Sequence, residues 1–207
     1  MKLTNNLLQN MLANAFAEIQ SHVERLNKLD AATGDGDHGT AIRIAYKTAA
    51  ESVQKDGTLA AKLETVGWDI MGSTSGSTSS LTGAFFIGMS QKAVAEELDV
   101  DQTIEMFEAG LANVQGFSKA GVGDKTLMDA LIPAIAAMQQ RKGTGVPLAD
   151  VFNAAAEAAQ TGADSTKDLV AKHGRARNLG ERSRGHLDAG AVSTALVYKA
   201  YAAAIVQ

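Results

Sequence analysis

Apolar residues recur at helical spacing along almost the whole chain. In the first segment they are three or four residues apart: Leu8, Leu12, Ala15, Ile19, Val23 and Leu26. This spacing, which is typical of amphipathic helices, continues in seven further segments: residues 42–53, 59–71, 81–98, 103–114, 126–139, 148–172 and 190–206. No segment alternates apolar and polar residues in the manner of a half-buried strand. The pattern therefore predicts an all-α fold of eight helices.

The connections between these segments indicate where function is located. Four of them are rich in glycine and polar residues: 33–39, 72–83, 118–125 and 173–190. In an antiparallel up-and-down bundle, loops separated by an even number of helices lie at the same end. We therefore expect an eight-helix up-and-down antiparallel barrel or bundle with its functional site at one end.

Two kinds of residue add expectations about the helices. Pro133 lies within a helical pattern, where its missing N–H should kink a helix or mark its start. Trp68 and the methionines occur at helical spacing and are expected in the core.

Composition narrows the class of protein. With 207 residues and 45% hydrophobic content, the chain can bury a substantial core, and we interpret residues 1–207 as a single domain. A net charge of −4 argues against a nucleic-acid surface, and the absence of cysteine excludes disulfides and thiolate metal sites. The sequence shows neither a secretion signal nor an apolar run that could span a membrane. A cytoplasmic protein without membrane contact is therefore expected.

Three carboxylates fall within eight residues of the stretch LDAATGDGDHGT, at Asp30, Asp35 and Asp37. This density of negative charge indicates a bound cation, and hard carboxylate oxygens suit Mg²⁺, which leaves coordination positions for substrate phosphates. A calcium-binding helix–loop–helix is excluded, because the twelfth position counted from Asp35 is Tyr46 and not a bidentate Glu. Taken alone, the stretch is also typical of a solvated acidic turn.

The stretch MGSTSGSTSSLTGAFF places hydroxyls and glycines directly before an apolar helix that starts near Leu81. Unpaired N–H groups at a helix N-terminus favour anions, so this loop is a candidate phosphate cradle. It is not a Walker A loop, and no Lys or Arg occurs between Lys62 and Lys92. The charge of a phosphate bound there would have to be neutralised by the metal ion. A flexible Ser/Gly linker is the alternative.

A basic stretch, KHGRARNLGERSRGHLDAG, carries four arginines and two histidines in a glycine-rich loop. Guanidinium groups bind phosphates bidentately and stabilise charge during phosphoryl transfer. A solvated basic surface is the alternative. The stretch GVGDKT, at residues 121–126, is interpreted as a structural turn that leads into a helix N-cap.

These stretches occur in the order found in one family, which the chain resembles: the L subunit of dihydroxyacetone kinase, the nucleotide-binding half of an enzyme that phosphorylates small ketoses. The matching motifs are GDGDHG, SLTGAFF, SKAGVGDKT and GRARNLGERSRGHLDAG, and the resemblance extends over essentially the whole chain. It implies an eight-helix barrel that binds ADP or ATP at one end, with two Mg²⁺ ions held by Asp30, Asp35 and Asp37.

The resemblance also implies roles for individual residues. His38 and Arg175 are the expected catalytic residues. The expected nucleotide-binding residues are His38, Gly39, Thr40, Ala41, Ser77, Thr78, Ser118, Leu127, Arg175, Asp188, Ala189 and Gly190.

The chain departs from the family near the phosphate loop and the arginines. Residues 75–83 read SGSTSSLTG where the family usually has GGASGPLYG, Leu127 replaces Met, Arg177 and Asn178 replace Ser and Tyr, and Ala189 replaces Pro. The aspartates are retained. We therefore expect the same chemistry in a paralogous subunit that serves another three- or four-carbon substrate.

The resulting hypothesis is one subunit of a kinase. It would act with a K-type subunit that holds the ketose, and its nucleotide would be recharged by a phosphocarrier M-type subunit of the sugar phosphotransferase system or exchanged for ATP. Self-association as a homodimer is also compatible with the sequence. Two alternatives stay open: a non-catalytic regulatory module loaded with nucleotide, and the nucleotide domain of a fatty-acid kinase.

Overall fold

The computed structural model describes residues 1–205, which contain eight α-helices. The helices are α1 (Asn5–Ala31), α2 (His38–Ser52), α3 (Leu59–Ser73), α4 (Ser77–Ser90), α5 (Val100–Phe117), α6 (Met128–Gln139), α7 (Leu148–Ser165) and α8 (Ala189–Ile205). Two short strands, β1 (Leu3–Thr4) and β2 (Glu97–Leu98), pair antiparallel. Two 3₁₀ segments, Thr166–Asp168 and Arg175–Ser183, lie between α7 and α8.

The helices form a closed ring. Each packs against the next in sequence, and α8 also packs against α1. Phe107 lies at the centre of an aromatic cluster in the core, with its ring centroid 5.2 Å from that of Phe152 and 5.9 Å from that of Phe85, both edge-to-face. Tyr198 and Tyr201 of α8 extend this cluster. The predicted all-α antiparallel barrel is confirmed.

Glycines allow α3 and α4 to approach closely. A Cβ atom on Gly67 would lie 2.8 Å from the carbonyl oxygen of Gly83, and one on Gly83 would lie 2.6 Å from the carbonyl oxygen of Gly67. Protein Cβ atoms do not tolerate such contacts, so this seam requires glycine on both helices. The loop between α3 and α4 therefore connects two helices that pack closely against each other.

The boundaries of α4 and α7 differ from the sequence prediction. α4 starts at Ser77, because Ser79 and Ser80 donate to the carbonyl oxygens of Thr74 and Gly76 (2.7 and 2.9 Å) and so continue the helix into the hydroxyl-rich stretch. It ends at Ser90, and residues 97–98 pair with β1 instead. α7 ends at Ser165 and gives way to a 3₁₀ turn. Val206, which belongs to the last predicted helix, lies outside the described residues.

Trp68 is not in the core, contrary to prediction. It is 58% exposed, because the neighbouring Gly67 faces α4 and a step of one residue turns the side chain by about 100° around the helix. Five of the seven methionines are buried as predicted: Met11, Met89, Met106, Met128 and Met138.

Pro133 lies inside α6 and does not mark its start. It cannot donate to the carbonyl oxygen of Asp129, four residues earlier. Gly162 of α7 packs directly against that oxygen, at a distance that leaves no room for a side chain. The proline thus frees an acceptor that the neighbouring helix covers.

The four polar loops lie at one end of the ring, as the parity of the helices predicts. Contacts between them show this: Arg175 reaches Asp35, Thr78 reaches His38, and Lys125 reaches His186. No helix within residues 1–205 has the length and apolar character needed to cross a membrane.

Candidate functional site

The three aspartates predicted as metal ligands lie together at the end of α1 and in the loop before α2. Each presents one carboxylate oxygen, and these oxygens lie within 4.8 Å of one another. Asp30 is half-buried, whereas Asp35 and Asp37 are exposed. Three anionic oxygens at this spacing fit a small, hard divalent cation such as Mg²⁺.

Asp30 also builds the loop that carries the other two aspartates. Its Oδ2 atom accepts hydrogen bonds from the backbone N–H groups of Gly36 (2.8 Å), Asp37 (3.0 Å) and His38 (3.4 Å). Gly36 has φ +81°, which turns the chain back toward α1. The predicted metal ligand is therefore also the residue that folds its own loop.

Arg175 connects the basic stretch to the aspartates. Its Nη2 atom lies 2.8 Å from Oδ2 of Asp35, while its side chain is 74% exposed. An ion pair this exposed stabilises a protein only slightly, by about 0–1 kcal/mol. The guanidinium can therefore exchange Asp35 for another anion at little cost.

His38 joins three helices at its position in the first turn of α2. Its Nε2 lies 2.9 Å from the hydroxyl of Ser193 on α8, and its Nδ1 lies 3.4 Å from the hydroxyl of Thr78 on α4. Burial lowers the pKa of His38, and the carboxylates of Asp30 and Asp37 oppose this effect. As a neutral imidazole, the ring can donate a hydrogen bond to one of these hydroxyls and accept one from the other.

The rest of the α2 N-terminus is fixed against α1. Gly39 is buried, and a Cβ atom there would collide with the carbonyl oxygen of Val23. Thr40 and Asn27 bond reciprocally: the Thr40 N–H donates to the amide oxygen of Asn27, and the amide nitrogen donates to the Thr40 hydroxyl, both at 3.1 Å. Ala41 is half-buried in the same turn. The sequence analysis missed Asn27, although it lies three residues before Asp30 and hence on the same helix face.

The serine loop, residues 74–80, ends in the first turn of α4. Gly76 adopts φ +115° immediately before the helix, a conformation that strongly favours glycine. The side chain of Ser77 is exposed, and that of Thr78 reaches His38. The first N–H groups of α4 have no acceptor within the helix and are available to an anion.

The remaining predicted residues lie between α5 and α8. Leu127 packs beside Gly190, where a Cβ atom would be 3.3 Å from the Leu127 Cβ, and Ala189 is buried at the start of α8. The Ser118 hydroxyl accepts from the N–H of Ala120 within its own loop (3.2 Å), and this contact does not join it to the other predicted residues.

Asp188 caps α8 and belongs to the same electrostatic environment as the metal cluster. Its Oδ1 accepts from the N–H of Ala191 at 2.7 Å, and its own N–H donates to the Thr166 hydroxyl at 2.9 Å. Burial raises the pKa of Asp188 to about 6; the Ala191 N–H and the Lys125 ammonium oppose the rise, whereas the carboxylates of Asp129 and Asp30 add to it. A bound cation nearby would favour its ionised form.

The comparison with known proteins gives close agreement in sequence. The DAK2 domain model matches residues 32–203. The ADP-binding subunit DhaL of PEP-dependent dihydroxyacetone kinase 2 from Listeria innocua is 34% identical over 189 residues, which cover 89% of this chain and 87% of that protein. The corresponding Escherichia coli subunit is 31% identical over 196 residues, 93% of each chain. The L-erythrulose kinase of Pectobacterium atrosepticum is 35% identical over 200 residues, which cover 90% of this chain and 32% of that enzyme.

The fold agrees as well. The crystal structure of dihydroxyacetone kinase from C. freundii in complex with AMP-PNP and Mg²⁺ matches with a TM-score of 0.73 and 28% identity, covering 98% of this chain. The chain spans about a third of the length of that enzyme, since the match covers 34% of it. Family model, sequence and fold agree, and the chain belongs to the DAK2 domain family, together with the ADP-binding subunits of dihydroxyacetone kinases.

Proposed function

We propose that this chain is the nucleotide-binding subunit of a dihydroxyacetone-type kinase, which holds ADP or ATP with Mg²⁺ and supports phosphoryl transfer to a small ketose on a separate K-type subunit. The proposal rests on one observation above all. Asp30, Asp35 and Asp37 lie at the same end of the ring as the N-termini of α2 and α4, with Arg175 paired to one of them. The family membership of the chain supports the same function.

Asp30, Asp35 and Asp37 would hold the metal. When bound, Mg²⁺ supplies positive charge that neutralises phosphate oxygens. Asp30 keeps the loop folded through its three N–H bonds, while the exposed Asp35 and Asp37 are free to turn toward an incoming ligand.

Phosphate oxygens would be bound by main-chain N–H groups of two helix N-termini. In α2 the available group is the N–H of Gly39, since those of His38, Thr40 and Ala41 already donate to Asp30, Asn27 and Asp37. In α4 the available groups are those of Ser77 and Thr78, whose hydroxyls add donors. Arg175 would leave Asp35 to face the transferring phosphoryl group, where a guanidinium stabilises charge that is redistributed in the transition state. Leu127 and residues 188–190 would contact the nucleoside.

The acceptor would come from another protein. At this end of residues 1–205 the aspartates, the two helix N-termini and Arg175 would all be used by one metal–nucleotide, which leaves the ketose to a partner. A K-type subunit that covers the site would also exclude water, which protects the nucleotide from hydrolysis. Recharging by a phosphocarrier subunit or exchange with ATP would complete the cycle.

Two measurements test this function. Calorimetry should show binding of Mg²⁺–ADP to the purified chain, with affinity lost on addition of a chelator. Incubation with Mg²⁺–ATP and dihydroxyacetone or erythrulose should give no sugar phosphate until a K-type subunit is added. Sugar phosphate formed by the chain alone would refute the division of labour. Binding without turnover in the presence of K-type subunits would indicate a non-catalytic module instead.

A further inference from the structure

The segment that carries Arg175 makes few contacts with the core. We call residues 169–187 the arginine strap; about half of its side chains are exposed, and of its members only Ala171 and Ser183 are buried. These two bond to each other, since the Ala171 N–H donates to the Ser183 hydroxyl at 2.9 Å. Because the strap packs mainly on itself, its position is determined by the few residues outside it that bind to it.

Lys125 supplies one attachment through a buried ammonium. The residue is 2% exposed, and its Nζ donates to the carbonyl oxygens of Thr166, just before the strap, and of His186, near the end of the strap. These acceptors lie 41 and 61 residues away in sequence. The single ammonium therefore ties the two ends of the strap to one point on the α5–α6 loop.

The backbone shows that this position is specialised. Among the described non-glycine residues, only Lys125 has a positive φ, at 61°. Such a conformation is costly for a residue with a side chain, and it persists where the surrounding structure fixes it. Here the fixing contacts come from Asp129, whose carboxylate accepts from the N–H groups of Gly123 (2.6 Å) and Thr126 (2.8 Å) on either side.

The charge of Lys125 is balanced by its surroundings. Burial lowers its pKa, the carboxylates of Asp188, Asp129 and Asp168 oppose that shift, and the Arg184 guanidinium adds to it. A buried ammonium is costly unless its donors are satisfied, and two main-chain carbonyls accept from two of its three donors here. The Lys125 ammonium therefore links two separate backbone segments through hydrogen bonds.

A second attachment lies next to the first. Asp124 accepts from the Lys172 ammonium at 2.8 Å and lies 3.3 Å from Nε2 of His173, two residues before Arg175. Its carboxylate is oriented by the Gly121 N–H at 2.8 Å. Adjacent residues of one loop thus hold the strap at its ends and directly before its arginine.

We propose that Lys125 is a positioning residue that fixes the arginine strap so that Arg175 meets the bound nucleotide. The proposal rests on the proposed function for the role of Arg175, and on the geometry alone for the attachment. It predicts that loss of the ammonium loosens the strap and removes the benefit of Arg175.

Hydrogen exchange of the isolated chain tests the attachment. Lys125→Met keeps the aliphatic stem and removes the donor. We expect amide exchange in residues 166–188 to rise at least about tenfold while α1 to α4 are unchanged. Lys62→Met is the matched control, because Lys62 is also buried and donates to the carbonyl oxygen of Val53 at 3.0 Å, far from the strap. Unchanged exchange in residues 166–188 of Lys125→Met overturns the proposal, whatever the activity.

A double-mutant cycle tests the positioning. In enzyme reconstituted with a K-type subunit, Arg175→Ala should lower kcat strongly in the wild-type background and only slightly in Lys125→Met, with Lys62→Met behaving as wild type. Independent, multiplicative losses would show that Lys125 acts only on the general fold and would overturn the proposal. Absence of Mg²⁺–ADP binding by the unaltered chain would instead refute the proposed function, and the role of Arg175 with it.

A second variant covers the case in which Lys125→Met does not fold. Lys172→Ala combined with His173→Ala weakens the neighbouring attachment through side chains that are 62% and 41% exposed, so the fold should be retained. We expect the same changes in exchange and kcat, at smaller size. If this variant leaves both quantities unaltered, the attachment at Asp124 does not hold the strap, and that attachment is overturned.

Discussion

The acidic loop and the serine loop lie at the same end of the ring, but different interactions stabilise their conformations. The acidic loop, residues 30–38, is fixed by side chains from α1, with one carboxylate oxygen of Asp30 binding three N–H groups. The serine loop is fixed by its own hydroxyls, and a Cβ atom added at Gly76 would meet no heavy atom within 4 Å. Carboxylates that repel one another need a rigid frame, whereas a loop that binds through main-chain N–H groups needs the right backbone angles. Side-chain chemistry should therefore dominate the first loop and backbone conformation the second.

The largest effect is expected from Asp35→Asn in the acidic loop. Asp35 contacts Arg175 and takes no part in folding the loop, so the variant should lose detectable Mg²⁺–ADP binding while keeping the thermal stability of the free protein. Asp30→Asn is the informative comparison, because it should lose both Mg²⁺–ADP binding and thermal stability. Calorimetry and thermal unfolding measure the two properties, and unchanged ADP affinity in Asp35→Asn would rule out its role as a ligand.

Arg175, which meets the acidic loop from the strap, should matter for turnover more than for affinity. Arg175→Ala is expected to lower kcat of the reconstituted enzyme on the order of 1000-fold, since a guanidinium facing the transferring group acts mainly in the transition state. The affinity for ADP should change much less. A normal kcat would contradict this assignment, and Arg177→Ala provides a control from the same exposed segment.

Gly76→Val tests whether the serine loop depends on its backbone. Because φ is +115°, a β-branched residue should strain the loop by about 1–3 kcal/mol and weaken ADP binding by roughly 5- to 150-fold. Gly72→Val is the control: its Cβ also meets open space, but its φ is not in the left-handed region. If Gly76→Val binds ADP normally, the serine loop is a linker.

Ser77→Ala should have a smaller effect on the same loop. The loss of one hydroxyl hydrogen bond is expected to weaken ADP binding by about 1 kcal/mol, or roughly fivefold. A larger loss than in Gly76→Val would reverse the comparison and show that hydroxyls, not backbone angles, determine binding by this loop. Titration of both variants under one set of conditions decides this.

The smallest effect concerns pH and the loop at residues 121–126. Hydrogen bonds from Lys172 and the Gly121 N–H lower the pKa of Asp124 from 3.8 to about 2. The folded state therefore gains stability from this group above about pH 4, and loses it as the pH falls toward 2. Compared with Asp124→Asn, the wild type should melt roughly 2–4 °C higher near pH 7, and the difference should vanish by about pH 2. A difference independent of pH would show that the charge is not responsible.

The sequence predicted the ring and the gathering of its loops because both follow from periodic spacing and the parity of helices. It predicted that Asp30, Asp35 and Asp37 lie together, because three carboxylates within eight residues repel one another unless a cation binds between them. It could not predict that α4 starts at Ser77, since serine occurs in both loops and helix starts, and which one forms depends on the backbone group that its hydroxyl bonds. The pairing of residues 3–4 with 97–98 is too short to leave a pattern.

The role of Lys125 escapes sequence analysis for a related reason. Interpreting GVGDKT as a structural turn that leads into a helix N-cap accounts for its backbone but not for its lysine. The acceptors of the ammonium are main-chain carbonyls, 41 and 61 residues away, and every residue type offers a carbonyl. No residue-type pattern records such partners, so only the folded chain reveals the contact.

The antiparallel ring also sets a length for any covalent tether to a partner. α1 begins and α8 ends at the end opposite the polar loops, with Met1, Lys2, Ala204 and Ile205 lining one shared cavity there. α5 and α7 have 18 residues each, which corresponds to about 27 Å along the ring axis. A ketose-binding domain tethered at that end would have to span this distance before its substrate could face the aspartates. A tether acting alone would need about eight fully extended residues to do so, and a shorter one would require the domain itself to reach along the side of the ring.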